Sequence, residues 1–386
     1  MLAVDAAGDL ATAGPTGAGG LLSACLGSAD GRACMPIDDG ARLSTSTARP
    51  PAPALDRKVA FLSSSAAYAE VDGEVTVIET HMSWVFLAGQ FAFKLKKPVR
   101  LPYLDLSTLV AREANCRTEV VLNKRLAPDV YLRVSPLRFG PESGLTIEGV
   151  GEIVDWLVVM RRLPAELMLD ALIERRRLNA AHVESLAATL AGFYSRAQRP
   201  RISPPEYFQR LQAEQAGNRE VLTLRRFSCR HRAGTILDRM DAVLIGARSL
   251  LESRAADGHL VDGHGDLRPE HICFENSVVI FDCLEFSEAL RQVDPVDEVA
   301  GLGMECARLG VEWFGTQVLE RVVRLTGQSS LGSLTYLHSA RRALLRARLT
   351  LSHLLDPAPR EPERWQPLAG RYLALAAQAL ENADRS

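Results

Sequence analysis

The hydrophobic periodicity of this 386-residue chain changes at Pro164. Before that proline, short apolar runs of β type alternate with turn residues, and after it apolar residues recur at helical spacing. One short β-rich island, residues 260–286, interrupts the helical part. This order predicts an α+β protein with a small antiparallel-sheet lobe at 58–164 and a mainly helical lobe at 165–386.

The strands predicted for the first lobe are short and are separated by turn residues such as Asp72-Gly73. One helix divides them; Ser107 is its predicted capping residue, and it ends before Pro128. Strands followed by one helix and further strands are the order of a small nucleotide-binding lobe. The predicted elements are strands at 75–79, 84–87 and 91–95, the helix at 107–126, and strands at 131–136, 145–148 and 156–161.

The second lobe shows amphipathic helical patterns, each with its charges on one face. The helices predicted before the island are 165–177, 180–197, 205–220 and 235–256, and the island itself carries strands at 272–274 and 278–281. After the island the helical pattern continues to the C-terminus.

Composition limits what lies outside these lobes. Residues 1–57 are rich in Ala, Gly, Ser and Pro and show no periodicity, which predicts a disordered tail or a start codon assigned too early. The formal net charge of −2 gives no general attraction to nucleic acid, and we see no apolar run long enough for a membrane span. Seven scattered cysteines predict a reducing, cytoplasmic location.

The island carries the residues with the clearest chemistry. In His264-Gly265-Asp266, the glycine permits a tight turn that can project the Asp266 carboxylate into a cleft. Asp282 follows the second short strand, where its carboxylate can hold magnesium between phosphates. Phosphoryl transfer to an alcohol needs a carboxylate at the attacking hydroxyl, metal ligands and a lysine near the phosphates. The island offers the first two of these groups.

These motifs resemble those of the aminoglycoside phosphotransferase and choline kinase family, which has the two-lobed protein-kinase-like fold. The similarity extends to segments 80–87, 91–98 and 125–128 and covers residues 59–360, and it is strongest to a bacterial aminoglycoside-phosphotransferase-like subfamily. Some members of that subfamily carry a fused P-loop ATPase domain. No Gly-x-x-x-x-Gly-Lys-Ser/Thr segment occurs here, so we expect that domain to be missing, and a separate ATPase partner is a further expectation.

The resemblance implies a nucleotide site in the first lobe. Lys94 matches the lysine on the third strand, and Glu119 on the following helix matches its ion-pair partner. Lys96, two residues further along the same face, and Glu113 remain alternatives. Met160 falls where the strand that links the lobes meets adenine, and the loop 80–83 is expected to cover the phosphates.

In the second lobe the resemblance implies a catalytic base at Asp266. Five residues later the family has a metal-binding asparagine, whereas this chain has His271, a softer ligand that suits manganese or zinc better than magnesium. Asp297 matches the aspartate that braces the His-Gly-Asp loop, with Asp294 as the alternative, and His264 is expected to hold the loop by hydrogen bonds.

Two other interpretations stay open. Imidazole and thiol groups of one set of residues could form a zinc site. The arginine-rich segment 225–232 is expected to be a solvated turn, and its alternative role is to attract a negatively charged acceptor. The candidate zinc ligands are His264, His271, Cys273 and Cys283.

The leading hypothesis is an ATP-dependent phosphotransferase that acts on a hydroxyl of a small molecule, with Asp266 as catalytic residue. Lys94, Glu119 and Met160 would bind ATP, and Asp282 and His271 would bind Mg²⁺ or Mn²⁺. The alternative is a catalytically degenerate kinase-like protein that binds nucleotide or regulates a partner, or a nucleotidyl transferase.

Overall fold

The computed structural model describes residues 53–69, 71, 73–101, 104–328 and 332–385. Its N-terminal part is built on a six-stranded antiparallel sheet with strand order β1-β2-β3-β8-β6-β7. The elements of this part are α1 (Leu55–Leu62), β1 (Thr76–Glu79), β2 (Ser83–Ala88), β3 (Phe91–Lys96), β4 (Arg100–Leu101), β5 (Leu104–Asp105), α2 (Leu109–Asn123), β6 (Tyr131–Gly140), β7 (Gly144–Ile147) and β8 (Glu152–Arg161).

Alternation along β3 separates the two faces of the sheet. Phe93 and Leu95 pack with Leu62 of α1 on the outer face. Ala92 lies on the inner face with the apolar side chains of α2. Lys94 and Lys96 follow at alternate positions, so their side chains point to the same face and contact α2 as well. The strand therefore delivers two lysines to the inner face, where the second lobe begins.

Two details of this lobe differ from the sequence prediction. The N-cap of α2 is Thr108, whose hydroxyl accepts a hydrogen bond from the Ala111 amide at 3.1 Å, whereas the Ser107 hydroxyl bonds to Asp105. Helix α1 begins at Leu55, inside the segment predicted as a tail. Residues 1–52 of that segment lie outside the described residues.

The C-terminal part is mainly helical and contains two antiparallel pairs of short strands. Two buried clusters of apolar side chains hold it together, one around α4 and α9 and the other between α5, α6, α11 and α12. Its elements are α3 (Leu169–Glu174), α4 (Ala180–Arg196), α5 (Pro204–Leu222), α6 (Arg230–Gly246), α7 (Arg248–Ala256), β9 (Val261–Asp262), β10 (Ile272–Phe274), β11 (Val278–Ile280), α8 (Glu288–Arg291), β12 (Gln292–Val293), α9 (Pro295–Arg308), α10 (Glu312–Leu325), α11 (Gly332–Ser352) and α12 (Pro362–Ala383).

The predicted α+β class is confirmed, and the predicted strands of the island are present as β10 and β11. The helix predicted at 235–256 is instead two helices, because the chain leaves helical geometry at Ala247 (φ −86°, ψ 1°) after Gly246. The helix predicted at 165–177 is shortened to α3. Among the described residues, no helix has the length and apolar content needed to cross a membrane.

Candidate active site

Buried charges gather where the inner face of the sheet meets the second lobe. The Lys94 Nζ atom lies 2.9 Å from Glu119 Oε1 and 2.8 Å from Asp282 Oδ1. The neighbouring Lys96 forms an ion pair with the other oxygen of Glu119 and lies 2.6 Å from Glu285 Oε1. The structure thus brings together the predicted lysine, helix carboxylate and metal carboxylate, and it adds Lys96 and Glu285 to the same network.

The network keeps its members ionised despite burial. Burial disfavours the charged form of Lys94, but Asp282 and Glu119 outweigh it and raise the lysine pKa well above its usual value. Burial likewise opposes ionisation of Asp282 and Glu119, and the two lysines lower the pKa of both carboxyl groups. Each charge is therefore held by its partners, so removal of one leaves the others uncompensated.

Helix α2 is tied directly to the backbone around Asp282. The Asn123 side chain accepts a hydrogen bond from the Cys283 amide at 2.9 Å and donates one to the Glu119 carbonyl at 2.9 Å. Asp282 adopts a left-handed conformation (φ 61°), which is strained for a residue with a side chain. Its amide donates to the Tyr131 hydroxyl at 3.2 Å. These contacts fix the direction of the Asp282 carboxylate.

The His-Gly-Asp turn is shaped by close packing and by one carboxylate. Gly265 has φ 88°, and a Cβ atom there would lie 2.9 Å from the Leu284 side chain. The Glu298 carboxylate accepts hydrogen bonds from the His264 amide at 3.0 Å and the Gly265 amide at 2.6 Å. Burial raises the pKa of Glu298 although these amides favour its ionised form. Glu298 therefore braces the loop that presents Asp266.

The sequence prediction gave this bracing role to Asp297, and the structure corrects it by one residue. The Asp297 carboxylate points to α11, where it pairs with Arg341 and Arg342, the latter at 2.8 Å. Successive residues of a helix point about 100° apart, so only one of two neighbours can face the loop. The alternative, Asp294, caps α9 through the Val296 amide.

Asp266 and His271 lie together across the turn. The Asp266 side chain is largely buried, and its Oδ2 atom has no hydrogen-bond partner among the described residues. The His271 Nδ1 atom lies 2.8 Å from the Asp266 carbonyl oxygen, so this nitrogen carries the proton and donates. Burial raises the pKa of Asp266, while Arg268 and His271 act against that rise. A carboxylate with a raised pKa is a better proton acceptor.

The other ring nitrogen of His271 faces Asp282. Its Nε2 atom is buried, has no hydrogen-bond partner in the described part of the chain, and lies 3.8 Å from Asp282 Oδ2. In a neutral imidazole with its proton on Nδ1, Nε2 presents a lone pair. One imidazole nitrogen beside one carboxylate oxygen fits a divalent ion such as Mn²⁺. The two predicted metal residues are thus neighbours.

The zinc alternative gains no support from this geometry. Within the described ranges, no three His, Cys, Asp or Glu residues lie close enough together to hold a metal ion. Burial raises the pKa of Cys273 and of Cys283 to about 12, which keeps both thiols protonated. His264 instead acts as a structural residue, since its Nε2 atom lies 2.9 Å from the Phe281 carbonyl oxygen and burial lowers its pKa to about 3.

Met160 lies on the inner face of β8, in an apolar cluster that spans both lobes. Ala92 belongs to this cluster from the first lobe, and Met168, Cys273 and Val279 belong to it from the second. Met168 also forms an isolated bridge with Cys273. The predicted adenine contact is therefore placed between the lobes, beside the charged network.

The remaining candidates are Glu113, the loop 80–83 and segment 225–232. Glu113 pairs with Arg117 on the outer side of α2, at 2.8 Å, and not with either lysine. The loop 80–83 is the tight turn between β1 and β2, closed by a 2.8 Å hydrogen bond from the Thr80 amide to the Ser83 carbonyl. Segment 225–232 covers part of the turn between α5 and α6 and the first three residues of α6.

Sequence reasoning missed the residues that support the predicted ones. Glu285 stands three residues after Asp282, and Glu298 stands next to Asp297; both were visible as nearby carboxylates without a distinguishing pattern. Asn123 lies one helical turn after Glu119, a spacing that places both on one face of α2. That spacing is the signal that could have identified Asn123.

Comparison with known proteins supports the fold. No protein-family model matches the chain. Uncharacterised proteins of Mycobacterium tuberculosis and Mycobacterium bovis are 31% identical over 314 residues, which is 80% of this chain. The chain spans 60% of the length of these relatives.

Three solved structures share the fold at a TM-score of 0.50. A choline/ethanolamine kinase family protein from Mesorhizobium loti is 16% identical, with 86% of this chain and 100% of that chain covered. The ethanolamine kinase of Plasmodium vivax is 11% identical (81% and 84% covered), and the choline kinase of Cryptosporidium parvum is 11% identical (84% and 95% covered).

The chain therefore has a two-lobed protein-kinase-like fold, which confirms the architecture that the motifs implied. The choline/ethanolamine kinase family protein, the ethanolamine kinase and the choline kinase share this fold with the chain.

Proposed function

We propose that this protein is an ATP-dependent phosphotransferase that acts on a hydroxyl group of a small molecule. The observation that carries the proposal is the position of Asp266: its unpaired Oδ2 atom lies beside His271, which in turn lies beside Asp282 and the lysine network. A kinase-type reaction needs this neighbourhood of proton acceptor, metal ligands and phosphate-binding lysine.

In the proposed reaction the acceptor hydroxyl oxygen attacks the γ-phosphorus of ATP, and the bond from that phosphorus to the β,γ-bridging oxygen breaks. ADP leaves with the electron pair of that bond. Asp266 orients the hydroxyl and takes its proton as the new ester bond forms. Lys94 contacts the phosphates that do not react, and Glu119 keeps its ammonium group in place. Met160 and the apolar cluster around it receive the adenine ring.

Asp282 and His271 are the residues that would hold a divalent metal ion. A bound ion of this kind neutralises phosphate charge in phosphoryl transfer. The left-handed backbone at Asp282 and the hydrogen bond from His271 Nδ1 to the Asp266 carbonyl hold both ligand atoms in fixed directions. The two ligands thereby link the metal position to the position of the catalytic carboxylate.

Two substitutions test the proposal. Asp266→Ala should retain ATP binding and lose transfer, by about 100- to 10,000-fold, because general base catalysis is removed while the nucleotide side stays intact. Asp282→Ala should lose metal-dependent ATP binding. Asp129→Ala, an exposed carboxylate on the loop after α2, is the matched control. ATP consumption is measured against pooled hydroxyl compounds, and ATP binding by thermal shift with Mg²⁺ or Mn²⁺.

The same measurements distinguish a second candidate, a nucleotide-binding or regulatory protein without turnover. This candidate is motivated by His271, which replaces the oxygen ligand expected for magnesium. Stabilisation by ATP and metal with no ATP consumption for any acceptor would favour it. Full turnover by the Asp266→Ala protein would remove the proposed phosphotransferase mechanism.

A further inference from the structure

Arg268, two residues after Asp266, is a buried cation with unused donors. Only 8% of its surface is exposed, and its Nη2 atom pairs with Glu270. Its Nε and Nη1 atoms have no hydrogen-bond partner among the described residues. A buried donor without a partner costs about 1–3 kcal/mol, more when it is charged. These N–H groups therefore point to an acceptor that is not part of the chain.

A second arginine faces the same place from α11. Burial and the charge of Arg346 both act to lower the pKa of Arg268, and the carboxylates of Glu270 and Asp266 outweigh them. Arg346 Nε lies 3.2 Å from Glu305, which also pairs with Arg308 at 2.6 Å. Three guanidinium groups thus meet Glu270, Glu305 and Asp266.

A small cavity lies beside these groups, apart from the lysine network. A cavity of about 30 Å³ is lined by Asp266, Arg268 and Arg346. The described residues that line it do not include Lys94, His271 or Asp282. Leu349 lines both this cavity and a larger one of about 750 Å³, which lies between the β1–β2 turn and the start of α12. The two cavities therefore share one wall residue.

We propose that the phosphoryl acceptor is a hydroxyl compound that also carries an oxyanion group, a carboxylate or a phosphate, which Arg268 and Arg346 bind. The oxyanion would accept hydrogen bonds from Arg268 Nε and Nη1 while the hydroxyl faces Asp266. This inference rests on the proposed phosphotransferase function. It assigns an acceptor of opposite charge to choline and ethanolamine, the cations after which the three structural neighbours are named.

The test compares acceptors of matched size and different charge. ATP consumption is measured with glycerate and glycerol 3-phosphate, with neutral glycerol, and with choline. We expect kcat/KM for the anions to exceed that for glycerol by about 10- to 150-fold, the equivalent of one charge-assisted interaction. Arg268→Gln and Arg346→Gln should each remove this preference. Arg348→Gln, a buried arginine of the same helix outside the cavity lining, should keep it.

Anion binding is measured separately from turnover, by thermal shift of the ATP-free protein with inorganic phosphate. Stabilisation by phosphate that is lost in Arg268→Gln and kept in Arg348→Gln supports the anion site. If no acceptor is turned over in that case, the result contradicts the proposed phosphotransferase function and leaves the anion site standing. Equal turnover of glycerol or choline would overturn the acceptor class while the function stands. An equal fall in kcat for all acceptors in Arg268→Gln would also overturn it, because Arg268 would then act on the transferred phosphoryl group.

Discussion

Asp266 has an environment that differs from those of Asp282 and Glu119. Asp282 and Glu119 each bond to a lysine, and their pKa values are lowered. Asp266 has no such partner on Oδ2, and burial raises its pKa. Two classes of carboxylate in one site, one kept ionised and one able to exchange a proton, match the roles of metal or lysine partner and of general base.

The raised pKa of Asp266 predicts the pH dependence of turnover. The base must be ionised, so kcat/KM should fall as the pH falls through this raised pKa. The charge of Arg268 lowers the Asp266 pKa, hence Arg268→Gln should move the acidic limb of the profile to higher pH. A pH–rate series for both proteins checks this. An acidic limb that stays in place or moves to lower pH contradicts the prediction.

His271 predicts a metal preference. An imidazole nitrogen beside one carboxylate favours Mn²⁺ over Mg²⁺, which prefers oxygen ligands. His271→Asn supplies an oxygen at the same place, so the ratio of Mg²⁺-dependent to Mn²⁺-dependent kcat/KM should rise by about 10-fold or more, because changes at the partners of metal ligands already alter affinity by about 10- to 100-fold. Titration of each metal in the ATP-consumption assay gives the ratio. His259→Asn, a partly buried histidine before β9, is the control and should leave the ratio unchanged.

At this scale the sequence identified side chains better than it identified their partners. Asp266, Asp282 and Lys94 stand in recognisable motifs, and the structure brings them to one site. The brace at Glu298 was assigned to its neighbour Asp297, because a motif gives position along the chain but not direction around a helix. Arg268 was visible in the sequence. Its unpaired donors depend on how α9 and α11 pack around it, which no local sequence pattern predicts.

Helix α2 couples the nucleotide side of the site to the second lobe. It contributes Glu119 to both lysines and Asn123 to the backbone after Asp282. Its outer face carries Glu113, which forms an ion pair with the exposed Arg117. The helix therefore offers two carboxylates of the same length in opposite environments.

These two glutamates allow a matched stability test. Glu119→Gln should lower the free energy of unfolding by about 3–5 kcal/mol, because it leaves buried lysines uncompensated. Glu113→Gln should change it by less than about 1 kcal/mol. The pKa of Glu119 is lower in the folded protein than in the unfolded chain. Its contribution to the free energy of unfolding is therefore complete above the pKa of the unfolded chain, and it is lost as the pH falls through the pKa of the folded protein. Urea unfolding at pH 7 and at acidic pH measures both; equal losses for the two variants would contradict the network.

Element boundaries followed from periodicity except where tertiary contacts decide. Strands β2 and β3 and helices α4 and α5 were predicted within a few residues. The break between α6 and α7 was not, because apolar spacing continues across Ala247 while its backbone leaves helical geometry. Such a break is favoured by packing of α7 against α5, a long-range contact that periodicity does not contain.

The whole molecule is joined by more than the linker after β8. The apolar cluster that contains Met160 and Met168 has side chains of both lobes. The Lys94–Asp282 ion pair and the Asn123–Cys283 hydrogen bond also join one lobe to the other. The sequence predicted two lobes from the change at Pro164, but not a shared core. A change of periodicity separates elements along the chain and says nothing about which apolar faces meet.

The shared core predicts cooperative unfolding. Opening one lobe alone would expose Met168 and its neighbours and would break a buried ion pair, so we expect calorimetry to show one transition with equal calorimetric and van't Hoff enthalpies. Met168→Ala should lower the free energy of unfolding by about 2–5 kcal/mol and keep the single transition. Val121→Ala, on the exposed face of α2, is the control with a small effect. Two resolved transitions in the unsubstituted protein would show that the lobes unfold independently and that the cluster does not couple them.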